Sequence, residues 1–331
     1  MNHLKNLKLF TLILYTIIYS SANLFGQDPV FSQFNHHQLY FNPAFAGNSP
    51  YPRMVAGYRN QWPGLGNAFI TYYISYDQYV NKISSNIGLA VNRDVMGNGV
   101  YSKTSADFIY SYPIELNNDN ILSLGIQGSV VQKNINGSNL VFPDQNPFQT
   151  GGTTEVVPNK SKIYPDFAAG AAFYINEQYM MGFSVHHLNS PNEMIGSGYT
   201  YLSPLRYSFM ALADYSLNRS IRDPLKKSFK PGLLIQLQHS FSLVSWGGNF
   251  SYGPVSIGAW VRHSFNFSVN TFIAQLGYSS NGMELFYSYD AWTPKNYQEI
   301  NFFGAHEVTF IYNFKYNDPK KRMRTIKCPK F

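Results

Sequence analysis

Strict alternation of apolar and polar side chains near the C-terminus most constrains what this sequence can fold into. In "HEVTFIYNFKY" (residues 306–316), Val308 and Phe310 fall on one face of an extended chain, whereas Glu307 and Thr309 fall on the other. The same split recurs in residues 68–77, 122–130 and 283–290. A period of two indicates β-strands with one face suited to apolar surroundings and one face suited to water.

Composition decides where the apolar face lies. Only 13% of the residues are charged, against about 25% in an average soluble domain. Phe and Tyr number 26 each, yet the mean hydropathy is only −0.22. Alternate residues meet lipid in a transmembrane β-barrel, which keeps mean hydropathy modest while aromatic girdles raise Phe and Tyr. A soluble β-sandwich, the alternative, would carry more charge on its outward positions.

The alternating segments predict an all-β fold, an up-and-down antiparallel barrel of about fourteen strands. These strands are predicted at 53–61, 67–79, 83–94, 100–113, 120–134, 163–176, 178–189, 200–217, 228–240, 242–252, 254–264, 267–280, 282–290 and 304–316. Long connections (135–162, 190–199, 291–303) fall at odd positions in the strand order, and most of the even ones are tight turns. Outer-membrane barrels have long external loops and short periplasmic turns. We therefore expect a barrel over residues 51–316 with both termini in the periplasm.

The first residues predict secretion. Lys5 and Lys8 precede a short apolar run, Leu9 to Tyr19, and small residues follow it. This order is typical of a secretory signal peptide, and the run is short for a transmembrane helix. We expect residues 1–26 to be a signal peptide and the mature protein to be integral to the outer membrane.

An aromatic stretch then follows that fits no regular period. "QDPVFSQFNHHQLYFNPAFAG" (residues 27–47) is rich in Phe, Asn and Pro, and the sequence Phe41, Asn42, Pro43 favours turns over a strand. Its aromatic side chains need shelter from water. We predict that residues 27–50 fold into or across the periplasmic mouth of the barrel as a partial plug. A disordered leader is the alternative, although such segments are normally poor in aromatic residues.

Motifs for enzymatic chemistry are missing from the sequence. There is no G-x-S-x-G, H-E-x-x-H or P-loop pattern. Cys328 is the only cysteine, which excludes an intrachain disulfide. We predict that the protein is not an enzyme and uses no cofactor.

Two histidine pairs and four acids remain as candidate site residues. Neighbours in a strand point to opposite faces, so His186 and His187 should not reach one metal ion, and His36–His37 is expected to serve in a loop or girdle. The acids on inward-facing positions are assigned to ordinary lumen polarity. They are Asp77, Glu284, Asp290 and Glu307.

Specific stretches of the chain resemble a known family. They are residues 27–47, "YRNQW" (58–62), "YPDFAAGAAFY" (164–174), "GAHEVTFIYNF" (304–314) and the terminal "IKCPKF" (326–331). They are similar to the PorP/SprF family of the type IX secretion and gliding-motility machinery of the Bacteroidota. The resemblance implies an outer-membrane barrel that supports export or surface attachment of a large secreted adhesin-type protein and associates with the periplasmic ring of that machinery. The alternative function is a porin or transporter for small solutes.

The basic tail, residues 317–331, is the main candidate for partner binding. Much of the net charge of +7 sits here, and no aromatic stacking platform accompanies it, so nucleic acid is not an expected partner. A charge run is usually only solvated, but an aromatic end suggests docking on a component of the secretion machinery. The candidate contact residues are Phe41, Asn42 and Pro43 in the aromatic stretch, and Lys320, Lys321, Arg322, Arg324, Cys328, Pro329 and Phe331 in the tail.

Overall fold

Antiparallel strands form nearly all the regular structure of this chain. The computed structural model describes residues 28–65, 68–140, 159–176, 178–196, 200–218, 226–266, 270–292 and 304–314. The strands are β1 (Arg53–Gln61), β2 (Phe69–Val80), β3 (Ser85–Met96), β4 (Tyr101–Glu115), β5 (Asn120–Ile135), β6 (Lys160–Ile175), β7 (Tyr179–His186), β8 (Arg206–Ala213), β9 (Tyr215–Ser216), β10 (Lys227–Gln238), β11 (Phe241–Tyr252), β12 (Val255–His263), β13 (Asn270–Ser280), β14 (Met283–Trp292) and β15 (Ala305–Asn313).

The sheet closes on itself. Apart from the two-residue β9, each strand pairs with the strands next to it in sequence, and β1 pairs with β15 to close the ring. Both β8 and the two-residue β9 pair with β10 and occupy one position in the ring. The barrel therefore has fourteen positions, as predicted from the alternation, and its closure satisfies the backbone groups that an open edge would leave exposed.

The two faces of the wall also match the prediction. On β5, Ile126 and Val130 are 62% and 59% exposed on the outside, whereas Ser123 and Ser129 are buried toward the lumen. The same holds on β15, where Glu307 and Thr309 are buried inside. Outward apolar side chains on every second residue form the surface expected to face lipid.

One predicted strand was too long. Residues 200–217 were expected to be continuous, but β8 begins only at Arg206. Before it, Leu202 makes a single isolated bridge to Asn192. Pro204 lies between Leu202 and the start of β8 at Arg206. Proline has no backbone N–H to donate to a neighbouring strand, so it interrupts the ladder of hydrogen bonds.

Helical structure in the described part of the chain is confined to short turns. The single α-helix there, α1 (Gln38–Phe41), has four residues, and a 3₁₀ turn follows at Pro43–Phe45. The side chain of Asn42 caps this turn, because its Oδ1 accepts a hydrogen bond from Ala44 N at 2.9 Å. Among the described residues, no helix has the length and apolar character needed to cross a membrane.

Residues 28–50, which we call the luminal segment, lie inside the barrel. Phe31, Phe34, Phe41 and Phe45 are each at most 1% exposed. Inward-facing side chains of the wall belong to the same hydrophobic cluster, namely Val55, Tyr73, Ile109, Met180, Met210, Leu212, Leu234, Trp260, Ile273, Phe286 and Ile311. Part of the lumen is therefore a packed core of the kind found in soluble proteins.

Two ends of the barrel are distinguished by their connections. The short-turn end carries the connections after β2, β4, β6, β11 and β13, and the long-loop end carries those after β5, β7 and β14. The luminal segment begins beside residues near the long-loop end and descends to the short-turn end, where it leads into β1. Which side of the membrane each end faces stays a prediction.

Candidate functional site: the luminal segment and its cavity

A carboxylate of the wall, Glu307 on β15, holds the backbone of the luminal segment. Ser32 N donates to Glu307 Oε2 (2.7 Å), and Gln33 N donates to Glu307 Oε1 (3.0 Å). Gln33 Nε2 also donates to Ser288 Oγ (3.0 Å). His37 Nε2 lies 2.9 Å from Thr309 Oγ1. The segment is thus bonded to two adjacent strands, β14 and β15.

Glu307 belongs to a buried ion network. Arg59 contacts both Glu307 (3.0 Å) and Asp290 (2.8 Å), and Arg262 contacts Asp290 at 2.6 Å. Ser32 Oγ donates to Asp290 Oδ2 at 2.7 Å. Two cations and two carboxylates balance here, which is the condition under which buried charges are tolerated.

A second network, formed by residues of β4, of β8 and of the connection after β7, holds the start of the luminal segment. Asp28 lies 2.7 Å from His187 Nε2, 3.1 Å from Lys103 and 3.1 Å from Arg206. Burial alone would raise the pKa of Asp28, but the neighbouring cations hold that pKa well below its usual value. The other nitrogen of His187, Nδ1, lies 2.7 Å from Asp166. Burial alone would lower the pKa of His187, but the two carboxylates raise that pKa to about 9.

Glu193, in the connection between β7 and β8, joins this network through Lys103. It contacts Lys133 at 2.6 Å and Lys103 at 3.2 Å, and it accepts a hydrogen bond from Tyr164 Oη at 2.9 Å. Burial alone would raise the pKa of Glu193, but the two lysines lower that pKa to about 2. Glu193 therefore stays ionised and ties a loop to the wall.

A third attachment lies at the short-turn end. Gly47 N donates to Asp77 Oδ2 (2.8 Å), and Arg53 Nε contacts Asp77 Oδ1 (3.2 Å). Asn313 Nδ2 donates to Glu284 Oε1 (3.0 Å) at the same end. The four acids assigned to lumen polarity are therefore hydrogen-bonded or ion-paired within the structure.

The turn Phe41–Asn42–Pro43, a predicted partner contact, is buried against the wall. Asn42 Nδ2 donates to Ala171 O (3.0 Å) and Phe183 O (3.2 Å). Phe41 O accepts a hydrogen bond from Ser184 Oγ. A contact between these side chains and another protein would require the segment to leave the lumen.

Glycines in the wall make room for the luminal segment. A Cβ added at Gly125 would lie 2.3 Å from Ala44 N, and one added at Gly182 would lie 2.4 Å from Phe45 Cζ. At Gly57 the nearest atom would be His37 Cε1, at 2.4 Å. Glycine thus allows the close approach of the segment on several strands.

The prediction for His186 and His187 was wrong about the faces on which they lie. His186 and His187 were expected to point to opposite faces, but both are buried inside, with ring centroids 6.5 Å apart. His187 follows the end of β7 with φ +62°, so the strict alternation of a strand no longer applies to it. Within the described ranges, no group of three or more metal-ligating side chains occurs.

The lumen toward the long-loop end holds a cavity of about 980 Å³, which we call the luminal cavity. Asp28, Pro29 and Val30 of the luminal segment line it together with the wall. Its aromatic and charged lining includes Trp62, Phe69, Asp94, Tyr101, Phe241 and Asp290. Sequence alternation alone did not reveal this cavity, because its extent depends on where the luminal segment stops.

Two groups of predicted site residues lie outside the described residues. They are the signal-peptide residues 1–26 and the tail residues Lys320, Lys321, Arg322, Arg324, Cys328, Pro329 and Phe331. Their assignments remain predictions.

The fold and its interior define a class of protein, an outer-membrane β-barrel whose lumen is filled in part by its own chain. Residues 23–312 match the family described as type IX secretion system membrane protein PorP/SprF. The chain belongs to this family, as the resemblance predicted, and its place in the outer membrane agrees with both fold and family.

Solved structures with a similar trace include porins. A KdgM porin in complex with disordered oligogalacturonate shares 7% identity, with 80% of this chain and 99% of that chain covered and a TM-score of 0.36. A Pseudomonas aeruginosa FadL homologue shares 12% identity, with 80% and 90% covered and a TM-score of 0.40. A comparison with curated proteins gives no match.

Proposed function

We propose that this barrel is an anchoring component of the type IX secretion system that supports export or surface attachment of a large secreted adhesin-type protein. In this role it provides surfaces to a partner and is not the conduit through which the partner passes. One observation carries the proposal: the luminal segment is packed into the lumen and bonded to the wall at three places along its length.

The energetic cost of opening the lumen supports this role. Removing the segment would expose Phe31, Phe41 and Phe45, and each buried apolar side chain of this size contributes about 1.5–3 kcal/mol. It would also leave Glu307 and Asp290 without their bonds to Ser32. A polypeptide in transit would have to supply equivalent contacts throughout its passage.

The basic tail, residues 317–331, supplies the proposed attachment to the periplasmic side of the machinery. Lys320, Lys321, Arg322 and Arg324 would attract an acidic surface, and Phe331 would provide an apolar anchor. Cys328 and Pro329 would be small contacts beside that anchor.

Deletion of residues 326–331 in the native bacterium tests the tail. We expect a heat-modifiable barrel in the outer membrane but loss of adhesin display at the cell surface. A variant that keeps all six residues in scrambled order is the matched control for tail length and charge. Normal display after the deletion would contradict the docking role of the tail.

Conductance separates this function from the porin alternative. We expect purified protein in planar bilayers to show no steady ohmic pore, because the luminal segment blocks the path between the two ends. A stable open pore in the unaltered protein would favour a solute channel.

A further inference from the structure

We propose that the luminal cavity is a docking site for a polypeptide segment that carries a Lys or Arg side chain beside aromatic or aliphatic residues. The occupant we assign is a segment of the exported partner, and this identity rests on the function proposed above.

The cavity has a floor. Asp28, Pro29 and Val30 line it on the side of the luminal segment, and Phe31 just beyond them is 1% exposed in the hydrophobic core. A ligand that enters from the long-loop end therefore meets packed protein and stops. This geometry suits a binding site better than a passage.

The polar groups of the cavity favour a ligand that donates hydrogen bonds. Asp290 cannot serve this role, because its Oδ2 already contacts Arg59, Arg262 and Ser32 and its Oδ1 is not accessible from the cavity. Asp94 lines the cavity and accepts one hydrogen bond, from Thr71 Oγ1 (2.7 Å). Of these two carboxylates, Asp94 is the one with capacity for a further donor.

The cations that line the cavity are already engaged. Lys103 and Lys133 contact Glu193, and Arg59 and Arg262 contact Asp290. A ligand carboxylate or phosphate would compete with these pairs, whereas a ligand ammonium or guanidinium group would find a free acceptor at Asp94. The cavity therefore selects a cationic group over an anionic one.

Apolar contacts accompany the carboxylates. Trp62 and Phe69 pack edge to face with ring centroids 5.3 Å apart, and both rings line the cavity with Tyr101 and Phe241. Aromatic side chains provide rigid contact area at protein interfaces. The ligand should combine its cation with apolar neighbours.

The width of the lining favours a polypeptide over a small molecule. Asp94 is on β3 and Phe241 is on β11, so the two lie at opposite positions of the fourteen-position ring. A ligand that contacts both must extend across the lumen, and the cavity volume of about 980 Å³ lies at the upper limit of ordinary small-molecule pockets.

Photo-cross-linking in intact cells tests the proposal. A photoreactive phenylalanine analogue replaces Phe69, which lines the cavity, and in a second strain it replaces Tyr72, which lies on the outer face of the same strand. We expect illumination to join position 69, but not position 72, to one exported polypeptide, with the adduct mapped to a basic and aromatic segment. Adducts of position 69 only with this chain's own loops, or only with lipid, would overturn the proposal.

Charge and volume variants complete the test. Asp94→Asn should lower the yield of the adduct about tenfold, whereas Asp119→Asn, in the exposed turn after β4, should leave it unchanged. Gln61→Trp, which fills the cavity, should abolish adhesin display, whereas Tyr58→Trp on the outer face of the same strand should not. Each variant must remain heat-modifiable, which shows that the barrel is folded.

The two proposals fail in different ways. If deletion of the whole gene abolishes display but Gln61→Trp and Asp94→Asn leave both display and position-69 adducts unchanged, the docking site is refuted and the anchoring function stands. If the deletion strain displays adhesin normally, the anchoring function is refuted.

Discussion

The two halves of the lumen differ in what fills them. Toward the short-turn end, aromatic side chains of the luminal segment pack against an apolar wall, and Phe41 and Phe45 are completely buried. Toward the long-loop end, the wall is charged and aromatic and surrounds a cavity of about 980 Å³. One half is packed like a protein core, and the other surrounds the cavity that we propose as a docking site.

This contrast indicates how one barrel can have a packed lumen toward one end and an open cavity toward the other. The packed half buries apolar side chains, which stabilise the fold, while the cavity half holds the proposed docking site. Substitutions in the packed half should therefore alter folding, and substitutions in the cavity half should alter binding. The predictions below test that division, from the largest expected change in stability to the smallest.

Phe45→Ala should have the largest effect. Phe45 is 0% exposed, and removing a buried ring of this size costs about 3–5 kcal/mol. Urea unfolding of the refolded protein in lipid vesicles measures the free energy of unfolding. Phe183→Ala, on the outer face of β7 and 50% exposed, is the control and should cost less. An equal loss at both positions would show that the luminal segment is not part of a core.

Gly125→Ala should come next. The added Cβ would lie 2.3 Å from Ala44 N, which is backbone and cannot move without shifting the whole turn. We expect a loss of about 3 kcal/mol, measured by the same urea titration. Gly128→Ala, three residues along the same strand, is the matched control, because its Cβ would meet only Phe167 at 3.8 Å. Equal stability of the two variants would argue against close packing at Gly125.

The sequence predicted the barrel well because its outer face is uniform. Every second residue of a strand such as β5 meets the same apolar surroundings, so alternation identifies the strands and their faces. The sequence also showed that residues 27–50 are not a strand. These features depend on local patterns, which a single sequence records.

The location of the luminal segment depends on long-range contacts, and the sequence did not predict it in detail. Inward apolar residues such as Ile109 and Trp260 only look like interruptions of the alternation until the segment is placed beside them. The glycines gave a usable signal, because inward-facing Gly57, Gly125 and Gly182 leave space that something must fill. Glycine within a strand is also used for bending, so these positions alone do not identify what fills the space.

The attachment of Asp28 predicts a pH dependence. The folded pKa of His187 is about 9, above its unfolded value of about 6.5. The protonated ring therefore stabilises the fold fully below pH 6.5, and this contribution is lost as the pH rises through about 9. We expect a loss on the order of 2 kcal/mol between pH 6.5 and 10, measured as the free energy of unfolding in urea. His187→Gln should flatten this part of the profile. An unchanged slope in that variant would assign the pH dependence to other groups.

Phe69→Ala should have the smallest effect on stability and is the sharpest comparison with Phe45→Ala. Phe69 packs edge to face with Trp62, but another side of its ring lines the cavity, where neighbouring atoms are already missing. Because the site is not enclosed by packed atoms, truncation removes few contacts and creates little new void, so we expect about 1 kcal/mol or less. Urea titration of the two variants side by side gives the difference directly. A loss at Phe69 as large as that at Phe45 would mean that the cavity half is packed as tightly as the other half, and the division between a core and a binding site would not hold.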